Sequence, residues 1–274
     1  MKTAQYFDDA ISNYEDNKKA AAMSYPRRLF ANAAPVPSKM LHNALFGIAN
    51  HHTARADRIK RVMPLSSGGF LAYEGPEVRQ DDGHVFAVLG HLTAGYGPLH
   101  GATFKPEEFV ALLGWSKTKH SLNRLDASLT RLMTASLTFF NSNDEKEWAT
   151  GLIHEIEYKI ENKPGYRRVK LSDKLRSEAF EHFSQTTHLN IALLAKLPSG
   201  VTSWLYSFIA SNACDKPMVL EDLHILAGSG ATGKEWGRQV REALDTLEKF
   251  GVIVSYTSKR GVVEVRKNPK QPRD

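Results

Sequence analysis

Apolar residues recur at helical spacing in two widely separated places along the chain. Residues 84–94 carry Val85, Val88, Leu89 and Leu92; residues 201–210 carry Val201, Trp204, Leu205 and Phe208. Both show the i, i+3, i+4, i+7 rhythm of a helix with one buried face. The segments after the two helices are similar as well. TFKPEEFVALLGWSKTKHSLNRLDASLTRLMTASLTFF, residues 103–140, aligns with PMVLEDLHILAGSGATGKEWGRQVREALDTLEKFGVIVSY, residues 217–256. Glu107 falls on Glu221, Phe109 on Leu223, Leu112 on Leu226 and Gly114 on Gly228 at one constant offset. Past the turn the offset grows by one residue, and Leu125, Leu129, Leu132, Leu137 and Phe139 fall on Val240, Leu244, Leu247, Val252 and Val254. An internal repeat of this kind sets the architecture.

Alternating stretches close each copy. Leu152 to Ile160 alternates, Asn162-Lys163-Pro164-Gly165 reads as a turn, and Tyr166 to Leu171 reads as a returning strand. In the second copy Val252–Tyr256 and Val262–Arg266 flank Ser258-Lys259-Arg260-Gly261. Helix, short helix, glycine turn, long helix and β-hairpin together predict an α+β chain built of two tandem winged helices, each with a helix-turn-helix at its centre. The predicted division is an extended N-terminal arm over 1–62 with one short amphipathic helix near 40–48, winged helices over 63–190 and 191–268, and a basic tail over 269–274.

Composition narrows the partner. Of 274 residues, 36 are Lys or Arg and 30 are Asp or Glu, a net charge of +6, which permits a polyanion partner without requiring one. The one cysteine, Cys214, excludes an intrachain disulfide and a cysteine-based metal site. The eleven histidines show no metal-ligand spacing, so no cofactor is expected. No apolar run suits a signal peptide or a membrane span, and a cytoplasmic protein is expected.

One stretch points elsewhere. Gly228-Ser229-Gly230-Ala231-Thr232-Gly233-Lys234 fits the phosphate-binding pattern G-x-x-x-x-G-K-[ST] until its last position, where Glu235 stands. The magnesium-binding hydroxyl is missing, and Leu220, Leu223 and Leu226 before it have helical spacing where a P-loop needs a strand. The glycines suit the tight bend of a helix-turn-helix. A P-loop nucleotide hydrolase is the outside alternative.

The long helices carry the candidate chemistry. On 235–250, Trp236, Val240, Leu244 and Leu247 share one side, while Lys234, Arg238 and Arg241 lie opposite. Arginine pairs bidentately with guanine, Gln239 suits adenine, and Thr232 and Lys234 suit phosphate. On the first long helix Ser116, Lys117, Lys119, His120, Asn123, Arg124 and Arg131 are expected to point away from the Leu122, Leu125, Leu129 and Leu132 line. Lys259 and Arg260 tip one wing; Arg167, Arg168 and Lys170 lie near the other. The competing reading is a solvated charged face and a solubilising turn.

With these residues in place, the chain resembles the TrfA-type plasmid replication initiators. The resemblance rests on Gly75-Pro76-Glu77-Val78-Arg79-Gln80-Asp81-Asp82, Leu113-Gly114-Trp115, Leu129-Thr130-Arg131-Leu132, Leu197–Leu205, Leu226–Gly230 and the Asn43–Gly47 stretch. It implies a non-enzymatic protein that binds directly repeated origin sites (iterons) in double-stranded DNA. It also implies origin opening, recruitment of the host replicative helicase and initiator, and a monomer–dimer equilibrium that limits copy number. The first winged helix would dimerise and touch backbone; the second would read sequence. Arg28-Leu29-Phe30 faintly resembles a sliding-clamp peptide. A winged-helix repressor on a palindromic operator is the alternative on the same fold.

Overall fold

The computed structural model describes residues 32–48, 54–65, 68–96, 101–180, 186–211 and 217–268. The arm before residue 32, the Arg28-Leu29-Phe30 stretch, Cys214 and the 269–274 tail lie outside the described residues. In chain order the elements are β1 (Ala33–Pro37), a 3-10 turn (Ser38–Met40), β2 (Ile59–Pro64), β3 (Phe70–Gly75), α1 (Gln80–Tyr96), β4 (Ala102–Phe104), α2 (Pro106–Leu112) and α3 (Lys119–Thr134). Then come β5 (Ser136–Phe140), β6 (Lys146–Gly151), β7 (Ile153–Glu157), β8 (Arg167–Leu171), α4 (Asp173–Phe180) and β9 (Thr186–Asn190). The second half runs α5 (Ile191–Leu194), α6 (Val201–Ser211), β10 (Met218–Val219), α7 (Leu220–Ala227), α8 (Gly233–Lys249), β11 (Ile253–Lys259) and β12 (Val262–Lys267).

The two halves repeat one plan. In the first, α1, β4, α2, α3 and the β7–β8 hairpin follow one another, and the strands pair in the order β4-β8-β7. In the second, α6, β10, α7, α8 and the β11–β12 hairpin pair in the order β10-β12-β11. The protein is an α+β chain of two tandem winged helices. The long helices bury the stripes their periodicity predicts: Leu125, Leu129 and Leu132 on α3, and Trp236, Val240, Ala243, Leu244 and Leu247 on α8, are all nearly inaccessible. Thr118 caps α3 by accepting the Ser121 amide, and Thr232 caps α8 by accepting the Glu235 amide. Trp236 Nε1 donates to Leu220 O at 2.8 Å and ties α8 to the start of α7.

Gly114 and Gly228 hold equivalent turn positions with φ of 72° and 61°. Each also meets another part of the chain. A Cβ on Gly114 would lie 2.8 Å from Ala195 O, and one on Gly228 would lie 2.6 Å from Ala44 Cβ. Both turns therefore need glycine for conformation and for space.

The repeat breaks directly after the long helix. Leu137 and Phe139 lie on β5, which pairs with β3 and β6 in the sheet β2-β3-β5-β6. Val252 and Ile253 lead instead into wing strand β11, whose counterpart is β7. The β5–β6 hairpin is thus an insertion between helix and wing in the first half. The expected pairing of Leu137 with Val252 matches burial and not topology, because both residues cap the same end of a helical core.

The segment expected to be a loose arm is structural from residue 33 onward. All five residues of β1 are buried, and β1 pairs antiparallel with β9, matching Ala33 to Asn190 and Pro37 to Thr186. Residues 40–48 do not form the expected amphipathic helix; a 3-10 turn leads into a run of bends. Met40, Leu41, Ala44, Leu45 and Phe46 are buried in the shared core. The apolar spacing there reflects a wedge between the two winged helices. Asn43 O accepts from Trp204 Nε1 at 3.2 Å, Phe46 O accepts from Gln80 Nε2 at 2.5 Å, and His42 Nε2 lies 3.2 Å from Ser211 O. Residues 59–62, assigned to the arm, belong to edge strand β2.

Candidate nucleic-acid interface

Helix α8 is strongly two-sided. Opposite its buried stripe, Lys234, Arg238 and Arg241 are exposed, and Gln239 is half-buried beside them. Lys234 and Arg241 make no ion pair among the described residues. Arg238 is different: Nε donates to Glu235 Oε2 at 3.0 Å, and its other nitrogens donate to Glu235 and Glu242. Gln239 Nε2 donates to Glu235 Oε1 at 3.1 Å. The Arg238 hydrogen bond is the main reason the Glu235 carboxyl sits below the ordinary carboxylate range, and Glu235 in turn raises Arg238. Thr232, expected on phosphate, spends its hydroxyl on the α8 cap. Asp245, one turn on from Arg241, accepts the Tyr256 hydroxyl at 2.6 Å.

The second wing extends this face. Lys259 and Arg260 are exposed at the β11–β12 tip, where Arg260 at φ 51° and Gly261 at φ 78° make a two-residue turn of the mirror type that matches strand twist. A cationic tip beside an exposed basic helix is the arrangement that meets phosphate on either side of a groove.

The first winged helix keeps fewer of its expected cations outside. Ser116, Lys117, Lys119, His120 and Asn123 are exposed around the α3 start. Arg124 is half-exposed and held down: its guanidinium lies 4.0 Å from the Trp115 ring centroid and donates to Asp81 at 3.1 Å. Arg131, also expected outside, donates to Asp82 at 2.7 Å. Both are drawn in because the start of α1 buries two carboxylates. On the first wing, Arg167 pairs with Asp126, Arg168 with Glu157 at 2.9 Å and Lys170 with Glu155 at 2.6 Å. Those three basic residues sit in neutralised pairs, whereas Lys259 and Arg260 at the second wing's tip make no ion pair among the described residues.

Sequence reasoning missed the carboxylate centre. Asp82 is fully buried and accepts from Arg55, Arg131, Ser128 Oγ and the Arg79 amide. Asp81 accepts from Arg55 and Arg124. Burial pushes the Asp81 carboxyl up, but the two guanidiniums pull it further down, so it ends below its ordinary value. The signal was present as adjacent acids opening a helix, where the helix dipole favours them. The cluster positions α3 against α1, with Asp82 fully buried at its centre and Arg124 at its half-exposed rim.

The glycine-rich stretch is settled by its surroundings. Gly228 is the left-handed cap of α7, Thr232 is the cap of α8, and Gly233 and Lys234 open α8. The element before it is a helix, so the strand–loop–helix cradle of a P-loop is not formed here.

Residues 42–210 match the family model described as "Initiator Replication protein, WH1". That span is more than half of the chain. The chain belongs to the initiator replication protein family. The matched region of this initiator holds the wedge, the first winged helix and α6, and the repeat plan supplies the second winged helix beyond it. No curated protein matches the chain in sequence. Among solved structures, a selenomethionine crystal structure of domains 2 and 3 of RctB superposes with a TM-score of 0.62 at 12% identity, covering 85% of this chain and 99% of that one. A second crystal structure of RctB domains 2–3 gives a TM-score of 0.56 at 14% identity, covering 84% and 96%. At such identities the likeness is one of fold. Proteins of this family are generally DNA-binding and not catalytic. Among the described residues, no helix of the initiator is long and apolar enough to cross a membrane, and no group of three or more potential metal ligands is present.

Proposed function

We propose that this initiator binds directly repeated sites in double-stranded origin DNA, reading bases with α8 and gripping phosphate with the β11–β12 wing. The observation that carries the reading is the asymmetry between the wings: Lys259 and Arg260 at the second tip are unpaired among the described residues, whereas Arg167, Arg168 and Lys170 on the first sit in ion pairs. Two unlike winged helices in one chain fit an asymmetric site that recurs head to tail, and a symmetric dimer fits a palindrome. In this reading residues 191–268 form the sequence-reading unit. Residues 63–190 form the unit that dimerises and supports through Ser116, Lys117, Lys119, His120 and Asn123. Opening of adjacent DNA, recruitment of the host helicase and initiator, and copy control by dimers complete the proposal; the protein contributes binding energy and no chemistry of its own.

The test is footprinting of the purified protein on the DNA flanking its own gene. Protection of several evenly spaced direct repeats is the expected result. One protected palindrome over the promoter would make it a repressor.

A further inference from the structure

Arg238 and Gln239 are adjacent side chains of α8 whose chemistry suits purine edges, and both are held by carboxylates. Glu235 takes two nitrogens of Arg238 and the amide of Gln239, and Glu242, one turn on, takes another Arg238 nitrogen. The side chains of Arg238, Glu235 and Glu242 are 53%, 41% and 59% exposed, so the clamp is wet and opens at little cost. Two acids on a helix face that carries Lys234, Arg238 and Arg241 need a reason. On a DNA backbone they repel phosphate and weaken binding to any sequence. A guanine edge offers Arg238 two acceptors, N7 and O6, in place of the two oxygens of a carboxylate. The cytosine N4 amino group is a donor that a released glutamate accepts. The same two acids thus act against a bare phosphate surface and with a G·C-containing base edge.

We propose that Glu235 and Glu242 are specificity-determining residues that restrain Arg238 and Gln239 on non-cognate duplex and release them onto a purine edge adjoining a cytosine amino group. This rests on α8 being the base-reading helix. The two carboxylates supply discrimination, while Lys234 and the wing supply attraction.

The experiment uses the full chain and two duplexes: one recovered by this protein from a random-sequence pool, and a shuffled version of it. Affinities are measured for the wild type, Glu235→Gln, Glu242→Gln, the double variant and Arg238→Ala over a salt series. Glutamine keeps size and helix preference on an exposed face, so folding is preserved. The ratio of cognate to shuffled affinity is expected to fall about five- to tenfold or more in the double variant, the scale of one base contact. A ratio that stays at the wild-type value or rises, including equal tightening on both duplexes, overturns the proposal. Arg238→Ala separates the two readings. If it lowers cognate affinity while the glutamine variants keep the ratio, only the discriminator role fails. If it leaves both duplexes unaffected, α8 is not the reading helix and both readings fail.

Discussion

Gly228 ends α7 in the left-handed conformation with its Cα pressed toward Ala44, close enough that an added Cβ would lie 2.6 Å from the alanine methyl. The relationship joins the turn of the second helix-turn-helix to the wedge from the N-terminal side. Gly228→Ala is expected to lose about 1–2 kcal/mol from backbone conformation alone, with the clash added. Gly230→Ala, where a Cβ would meet nothing within 4 Å, is expected to change far less. Urea unfolding of both variants checks the contrast.

Asp82 concentrates the stability of the first winged helix. Removing its carboxylate strands the guanidiniums of Arg55 and Arg131 and the Ser128 hydroxyl in a buried site. Asp82→Ala is expected to cost about 3–5 kcal/mol. Glu157→Ala, which breaks the half-exposed pair with Arg168, is expected to cost a small fraction of that. Equal losses in denaturant titration would remove Asp82 from its central place.

Acid should destabilise the fold in two stages. His84 on α1 is held neutral mainly by burial, its pKa pushed down to about 4 from 6.5, with Asp81 opposing and Arg124 assisting; its Nε2 has no hydrogen-bond partner. A lowered histidine leaves the unfolded chain binding more protons below pH 6.5. Stability therefore falls between pH 6.5 and about 4, by at most about 1.4 kcal/mol per pH unit from this group. His42, lowered chiefly by burial, acts in the same direction. Asp81, lowered from 3.8 by its guanidinium partners, contributes fully above that pH, and its contribution is lost as pH falls through the lower folded value. His84→Gln is expected to flatten the upper stage and leave the lower one, readable in melting temperature against pH.

Arg241 and Lys259 should fail in different ways. Arg241→Ala is expected to weaken cognate DNA by roughly 5- to 100-fold and relax base preference. Lys259→Ala should weaken every sequence evenly and reduce the slope of log affinity against log salt by about one. Identical behaviour would erase the distinction between base and phosphate contacts.

Arg260 offers a clean separation of stability from charge. It occupies a left-handed position that L residues other than Asn and Asp avoid, just before Gly261. Arg260→Asn is expected to raise stability by about 0.5–1 kcal/mol while lowering DNA affinity. Thermal melts and a salt-dependent binding series on the same variant report both.

The long helices and the turns between them were legible because each long helix buries one face at a 3.6-residue period; residues 40–48 carry similar spacing but form bends. Gly114 and Gly228 could be paired from sequence alone since both do the same job. β1 was not legible: Ala33–Pro37 is buried on both faces, shows no alternation, and pairs with residues far along the chain. Leu137 misled because a buried strand entering a hairpin looks alike whether the hairpin is a wing or an insertion. Arg124 and Arg131 were read outward because the wheel places them off the leucine line. A pair of aspartates on another helix turns them inward, and no local period records that.

The pairing of β1 with β9 also has a consequence for the order of events at the ribosome. Ala33 leaves the tunnel long before Asn190 is made, and at ordinary rates of synthesis roughly ten to thirty seconds separate the two. Through that interval the buried strand has no partner and its apolar residues are exposed. The first winged helix can gather around α1 and α3, but the β1 seam closes only after β9 emerges. Synthesis thus delivers α8 to a platform whose last stitch has just been tied.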